Sequence, residues 1–175
     1  ITVDLFTASA LSAISIPDSA NDVDVAGDYA YIASGNAGLQ IVNVSNRKLP
    51  KIVGSLDTNG YSYDVIVRGN LVYLADGEAG LKIIDVSDPL NPKLLSSLNA
   101  SGTTQDIQLN DDFAFLANGS AGIEVIDISK STEPHSISTL TNIGQVKGVD
   151  VENNIVVIVT SSSLYTVDAS DKRGL

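Results

Sequence analysis

The sequence predicts an all-β chain of four-stranded antiparallel sheets, and three observations carry that expectation. A motif recurs at fixed spacing: Ala37-Gly38-Leu39-Gln40-Ile41-Val42-Asn43-Val44-Ser45, then Ala79-Gly80-Leu81-Lys82-Ile83-Ile84-Asp85-Val86-Ser87-Asp88-Pro89, then Ala121-Gly122-Ile123-Glu124-Val125-Ile126-Asp127-Ile128-Ser129. Its glycines at 38, 80 and 122 define a period of 42 residues, and a fixed period of this order marks a solenoid, a propeller or an array. Each period also divides into four short apolar segments parted by Gly, Asn, Asp and Pro, the residues that make turns. Finally, the second segment of each period is apolar on both faces, as a sheet sandwiched between two others requires. Together these features predict a β-propeller with about four blades in this chain.

The elements follow in order. Asp22-Val23-Asp24-Val25, Asp64-Val65-Ile66-Val67, Asp106-Ile107-Gln108-Leu109 and Gly148-Val149-Asp150-Val151 read as first strands. Gly27-Asp28, Gly69-Asn70, Asp111-Asp112 and Asn153-Asn154 then turn the chain, each pair tolerating the positive φ of a tight hairpin. The second strands begin at Tyr29, Leu71, Phe113 and Ile155, and Tyr31, Tyr73 and Phe115 within them form an expected core layer between blades. Two glycines precede each third strand, which is the recurring motif itself. Gly-x-x-Gly also occurs in phosphate cradles, but no helix follows and no lysine is placed to reach a phosphate, so these glycines read as hairpin turns. Gln40, Lys82 and Glu124 share one repeat position with three different charges, which predicts a solvated site. Pro50, Pro92 and Pro134 end the next turn, and the polar fourth strands, 51–56, 93–98 and 135–140, suit an outer edge.

The ends fit the same frame. The repeats run over 22–63, 64–105 and 106–147, and residues 148–175 supply three more strands. Ala10 to Ile16 resembles a fourth strand, with Ile14 one period before Leu56, so a last blade made from 148–175 plus 1–21 would give a single domain over 1–175. Ile1 to Leu5 also resembles the end of a third strand, which fits instead a segment of a larger propeller of six to eight blades.

Composition narrows the function. The net charge of -11 repels phosphate backbones and anionic headgroups, so nucleic acid is an unfavourable partner. No apolar run approaches the roughly 20 residues of a membrane span. With no cysteine there is neither a disulfide nor a thiolate site.

The segment Leu81-Lys82-Ile83-Ile84-Asp85-Val86-Ser87-Asp88-Pro89, preceded by Gly80 and by Asp64-Val65, resembles the LVIVD repeat family. The resemblance covers three repeats, about residues 22 to 147. It fades in the fourth, where Ser161-Ser162-Ser163 replaces the two-glycine loop and is one residue shorter. It implies a propeller on a bacterial or archaeal cell surface, hence an extracellular setting with other proteins or copies of itself as partners.

A catalytic site is not expected. The single histidine, His135, takes the place of Lys51 and Lys93 on an edge strand and reads as an exposed structural residue. The candidate cation site is the first-strand column Asp22, Asp64 and Asp106, whose hard carboxylate oxygens suit Ca²⁺ at one mouth of a central channel. The competing reading has each Asp accept backbone N–H bonds at the turn into its blade, and no cofactor. Asp85, Asp127, Asp168 and Asn43 read as turn-satisfying groups after the third strand. Asn43, Asn99 and Asn118 begin glycosylation sequons. The expected function is therefore a noncatalytic interaction or structural module. Subunit of a surface layer or filament, and propeller with an axial enzymatic or cation site, are the alternatives.

Overall fold

The computed structural model describes residues 10–171. Four antiparallel sheets follow one another along the chain, as blades of a β-propeller. The first holds β1 (Asp22–Ala26), β2 (Tyr29–Ala33), β3 (Leu39–Asn43) and β4 (Lys51–Leu56). The second holds β5 (Asp64–Arg68), β6 (Leu71–Ala75), β7 (Leu81–Asp85) and β8 (Lys93–Leu98). The third holds β9 (Asp106–Asn110), β10 (Phe113–Ala117), β11 (Ile123–Asp127) and β12 (His135–Leu140). The last has three strands, β13 (Val146–Glu152), β14 (Ile155–Thr160) and β15 (Leu164–Asp168).

Within each blade the strands lie in sequence order, and the first strands stand against one another: β1 against β5, β5 against β9, β9 against β13. The polar fourth strands form the outer edge. A register shift recurs where the third strand meets the fourth, at Ile41/Val42, Ile83/Ile84 and Val125/Ile126. Such bulges bend the edge strand and sharpen its twist.

Three apolar clusters fill the spaces between blades. Tyr31, Ala33, Leu39 and Ile41 of the first blade meet Val65, Val72, Leu74 and Ile84 of the second. The pattern repeats one period on, with Tyr73 and Leu81 against Ile107 and Leu116, and again with Phe115 and Ile123 against Val149 and Ile158. Tyr31, Tyr73 and Phe115 thus form the expected layer between blades. Gly80 illustrates why the motif needs glycine: its φ is +74°, and a Cβ there would stand 2.3 Å from the Leu98 carbonyl oxygen.

One expectation needs correction. Gln40, Lys82 and Glu124 are not solvated; they are 4%, 7% and 6% exposed. Each faces the preceding blade's side of its sheet but bends back to a polar partner near its own lead-in loop. Gln40 Nε2 donates to the Ala37 carbonyl at 2.8 Å, Lys82 Nζ to the Ala79 carbonyl at 2.6 Å, and Glu124 Oε2 accepts from Asn118 Nδ2 at 2.9 Å. Residues 10–16, expected in the fourth strand of the last blade, carry no strand in the structure. They lie along the first blade, where Ile16 packs on Ala30, Ile32 and Val42. The expectation for Ile1 to Leu5 falls outside the described residues.

Candidate functional site at the blade mouths

The sequence-derived candidates converge on the inner strands. Each first-strand aspartate bridges two blades. Asp22 Oδ2 accepts the Val65 N–H at 3.2 Å, Asp64 Oδ2 that of Ile107 at 2.8 Å, and Asp106 Oδ2 that of Val149 at 2.7 Å. The other oxygens of Asp64 and Asp106 accept the N–H of the following residue, at 2.8 and 3.0 Å. These acceptors serve the strands themselves rather than the turns into the blades. Among the described residues no group of three or more His, Cys, Asp or Glu side chains is arranged to hold a metal ion. The column is an inter-blade hydrogen-bond ladder whose carboxylates face one another across successive blades.

Stacking acids in a partly dry site has an electrostatic consequence. Burial, reinforced by neighbouring Asp106, pushes the Asp64 carboxyl up to about 6. Burial also raises Asp22, with Asp64 adding to the shift.

Above this ladder, at the end where the first strands begin, lies a polar basin lined by Tyr61, Tyr63, Asn36, Asn59, Glu78 and Gln105. Its floor is rigid. The Ser62 N–H donates to the Gly35 carbonyl and the Tyr63 N–H to the Ala75 carbonyl, at 2.9 and 2.8 Å. A Cβ on Gly60 would stand 2.0 Å from the Asp76 carbonyl oxygen, so this loop passes too close for any side chain. The two tyrosine rings lie 4.8 Å apart, tilted by 51°. Asn36 is held in place by Asp18 Oδ2, which accepts its backbone N–H at 2.8 Å and its side-chain amide at 2.7 Å. Those two bonds lower the Asp18 carboxyl below its ordinary range.

Tyr61 and Tyr63 did not stand out in the sequence. The signal was there in the repeat: Tyr61-Ser62-Tyr63 aligns with Thr103-Thr104-Gln105, so the aromatics belong to one blade only.

The remaining candidates are structural. His135 is exposed at the start of β12. Asn43, Asp85, Asp127 and Asp168 each accept the N–H of the serine two residues on, at 2.8 to 3.0 Å, closing the turn after the third strand. Of the sequon asparagines, Asn99 is exposed, whereas Asn118 is buried with its amide committed to Glu124 and its carbonyl to Thr104.

The LVIVD repeat family model matches residues 17–58, 59–100 and 101–141. A search of curated proteins finds no match. Among solved structures, the computationally designed Ika4 protein superposes with a TM-score of 0.76 at 10% identity, over 93% of this chain and 99% of that one. The designed Ika8 protein gives 0.67 at 10% identity over 85% of this chain and 45% of its own length. A functionally unknown protein from Desulfotomaculum acetoxidans DSM 771 gives 0.73 at 15% identity over 89% of this chain and 53% of that one. This chain therefore spans about half the length of the last two.

Proposed function

Because the chain belongs to the LVIVD repeat family, we propose that it is a noncatalytic interaction module of the cell exterior, which holds a protein partner at the mouth basin. The carrying observation is the division between what repeats and what does not. The aspartate ladder, the glycine loops and the inter-blade apolar layers recur from blade to blade, and all are consumed by the fold. The basin residues are unique to their blades and are left facing outward on a braced floor.

Their chemistry favours a peptide segment with basic and polar side chains. Tyrosine rings offer flat contact area at little entropic cost, and amides with a carboxylate supply hydrogen bonds. The net charge of -11 steers a basic segment toward the surface. The extracellular placement is supported by the family resemblance.

Selection of displayed random peptides on the purified protein tests the reading. Basic peptides are expected to be retained, with affinity falling about tenfold or more in Tyr61→Ala and in Glu78→Gln while the melting curve stays put. Retention that is indifferent to both substitutions overturns the basin as the binding surface.

A further inference from the structure

The two ends of the blade array carry the two halves of an interface that the chain builds three times internally. One face of each blade, formed in the second blade by Val65, Val72, Leu74 and Ile84, receives the opposite face of the blade before it. On the first blade no blade among the described residues covers this receiving face. Val23 is 56% exposed, whereas Val65, one repeat later, is 2% exposed. On the last blade it is the donating face that is open among the described residues: Ile155, Val159 and Leu164 are all exposed, Leu164 by 64%.

Residues 10–16 show what belongs in the gap. Ser12 Oγ donates to the Arg47 carbonyl at 2.8 Å, and Ser96 of β8 donates to the Ser131 carbonyl at 2.6 Å. Ser12 and Ser96 are two repeats apart, as are Arg47 and Ser131. Residues 10–16 therefore already sit on the first blade in the place of a preceding blade's fourth strand. Beside them runs an apolar groove lined by Ile14, Ile16, Ala30, Ile32 and Val42. What the groove lacks is the first three strands of a blade, and three strands are what the last sheet has.

Among the described residues these two halves do not join: the last sheet ends at β15, which pairs with β14. We infer that a second copy of this chain joins them: β13–β15 of one copy docks on the first blade of the other, and residues 10–16 of that other copy add to β15 as its fourth strand. Two copies exchanging both ends form a closed two-fold ring of eight complete blades.

The register follows from the internal blades, where Leu39 faces Leu56, Gln40 faces Ser55 and Ile41 faces Gly54. Shifted by the repeat, Leu164 faces the other copy's Ile14, Tyr165 its Ala13 and Thr166 its Ser12. The aspartate ladder continues as well. Asp24 accepts the Val25 N–H with one oxygen and, with the other, the Val67 N–H of the next blade, at 2.7 and 2.8 Å. Asp150 occupies the same repeat position and accepts the Val151 N–H at 2.8 Å. Its second oxygen is placed for the Val25 N–H of the other copy. Gly148 stands where Asp106 would be, so the junction has one such bond where the junction of the first two blades has two.

Light scattering of the 175-residue chain at micromolar concentration is expected to give twice the chain mass of 18.2 kDa. Val23→Lys and Leu164→Lys change exposed side chains; each is expected to weaken the dimer about 100-fold or more while the monomer keeps its sheet spectrum. The cysteine-free background allows a direct check of partner and register. When a chain carrying Ala13→Cys is mixed with one carrying Tyr165→Cys and oxidised, a disulfide should link the two chains. A monomeric mass at all concentrations overturns the inference. So does a disulfide that forms inside the doubly substituted chain but never between the singly substituted ones, which would mean that each chain closes on itself.

Discussion

Val65 and Val23 occupy the same repeat position on the same kind of strand, yet one is enclosed and the other is more than half exposed. The same contrast holds for Ala117, fully buried in the third blade, and Val159 in the last. The sequence supplies a larger apolar residue at the open end than at the closed one. An interior blade has both its faces covered; the first and last of the described blades each have one face covered and one open. In repeat architectures stability is close to a sum of unit and nearest-neighbour terms, so substitutions at matched positions isolate the neighbour term.

The largest effect comes from placing a charge on each member of the first pair. Val65→Lys puts an ammonium into a closed inter-blade cluster, and a loss of about 4 kcal/mol or more is expected, enough to part the first blade from the second in a urea melt. Val23→Lys should cost the isolated chain within about 0.5 kcal/mol, because the side chain reaches water. Equal costs at the two sites would mean that the first blade's outer face is closed in solution even in the monomer.

The aspartate ladder sharpens the comparison through pH. Asp64 lies between two acidic neighbours in the array, and its carboxyl is raised to about 6 from an ordinary value of 3.8. The native state therefore holds a proton that the unfolded chain has released, and stability falls as pH rises through the window between those values. By linkage the change amounts to about 3 kcal/mol at most. Asp22, also raised by burial, acts in the same direction. Asp18, Asp85 and Asp88 are held below their ordinary range by hydrogen bonds, so their contributions are lost only as pH falls below it. The melting temperature should climb as pH is lowered from about 7 toward 4.5, and Asp64→Asn should make that climb visibly shallower. A wild-type melting temperature that drops over this interval would contradict the electrostatics of the ladder.

Most of the fold could be read from the sequence, for a physical reason. Turn residues and two-faced apolar strands are local demands, and repetition at 42 residues averages out the accidents of any one blade. Position 40/82/124 escaped because its polar partner is not in the strand but in the lead-in loop, three residues earlier for Gln40 and Lys82 and six for Glu124. Gln40, Lys82 and Glu124 are all buried. A loop partner takes up each side chain, so three different charges signified polar satisfaction inside the blade rather than solvent. Burial holds Lys82 below the ordinary amine range, and nearby Asp76 opposes that shift. The open ends were harder to read, since the text of residues 10–16 gives their strand type but not which copy of β15 they would pair with. The basin was invisible to a search for recurring motifs because it is built from what fails to recur.

The bond between Asn118 and Glu124 makes the next test. Glu124→Leu leaves the Asn118 amide buried without its acceptor, and a loss of about 2 kcal/mol is expected, measured by urea titration. Tyr165, the matching residue of the last blade, is partly exposed, and Tyr165→Ala should cost under about 1 kcal/mol in the monomer. A cost at Tyr165 as large as that at Glu124 would show that the last blade is already closed by a neighbour.

The smallest expected effect separates the two ends most finely. Ser12 and Ser96 make the same hydrogen bond to the connection that follows the third strand of the next blade. Ser96 does so from a strand that β7 holds in place, so Ser96→Ala should cost about 1 kcal/mol, the usual worth of one such bond. Ser12 does so from a segment with no strand beside it, and freezing that segment's backbone offsets much of what the bond contributes. Ser12→Ala should therefore cost the monomer only a few tenths of a kcal/mol by the same reasoning. Once β15 pins the segment, its backbone is ordered whether or not the hydroxyl is present, and the Ser12 cost should rise toward the Ser96 value. Measuring both variants below and above the concentration at which copies associate reads that rise directly, and a Ser12 cost that stays constant across it would mean that residues 10–16 never gain a strand partner.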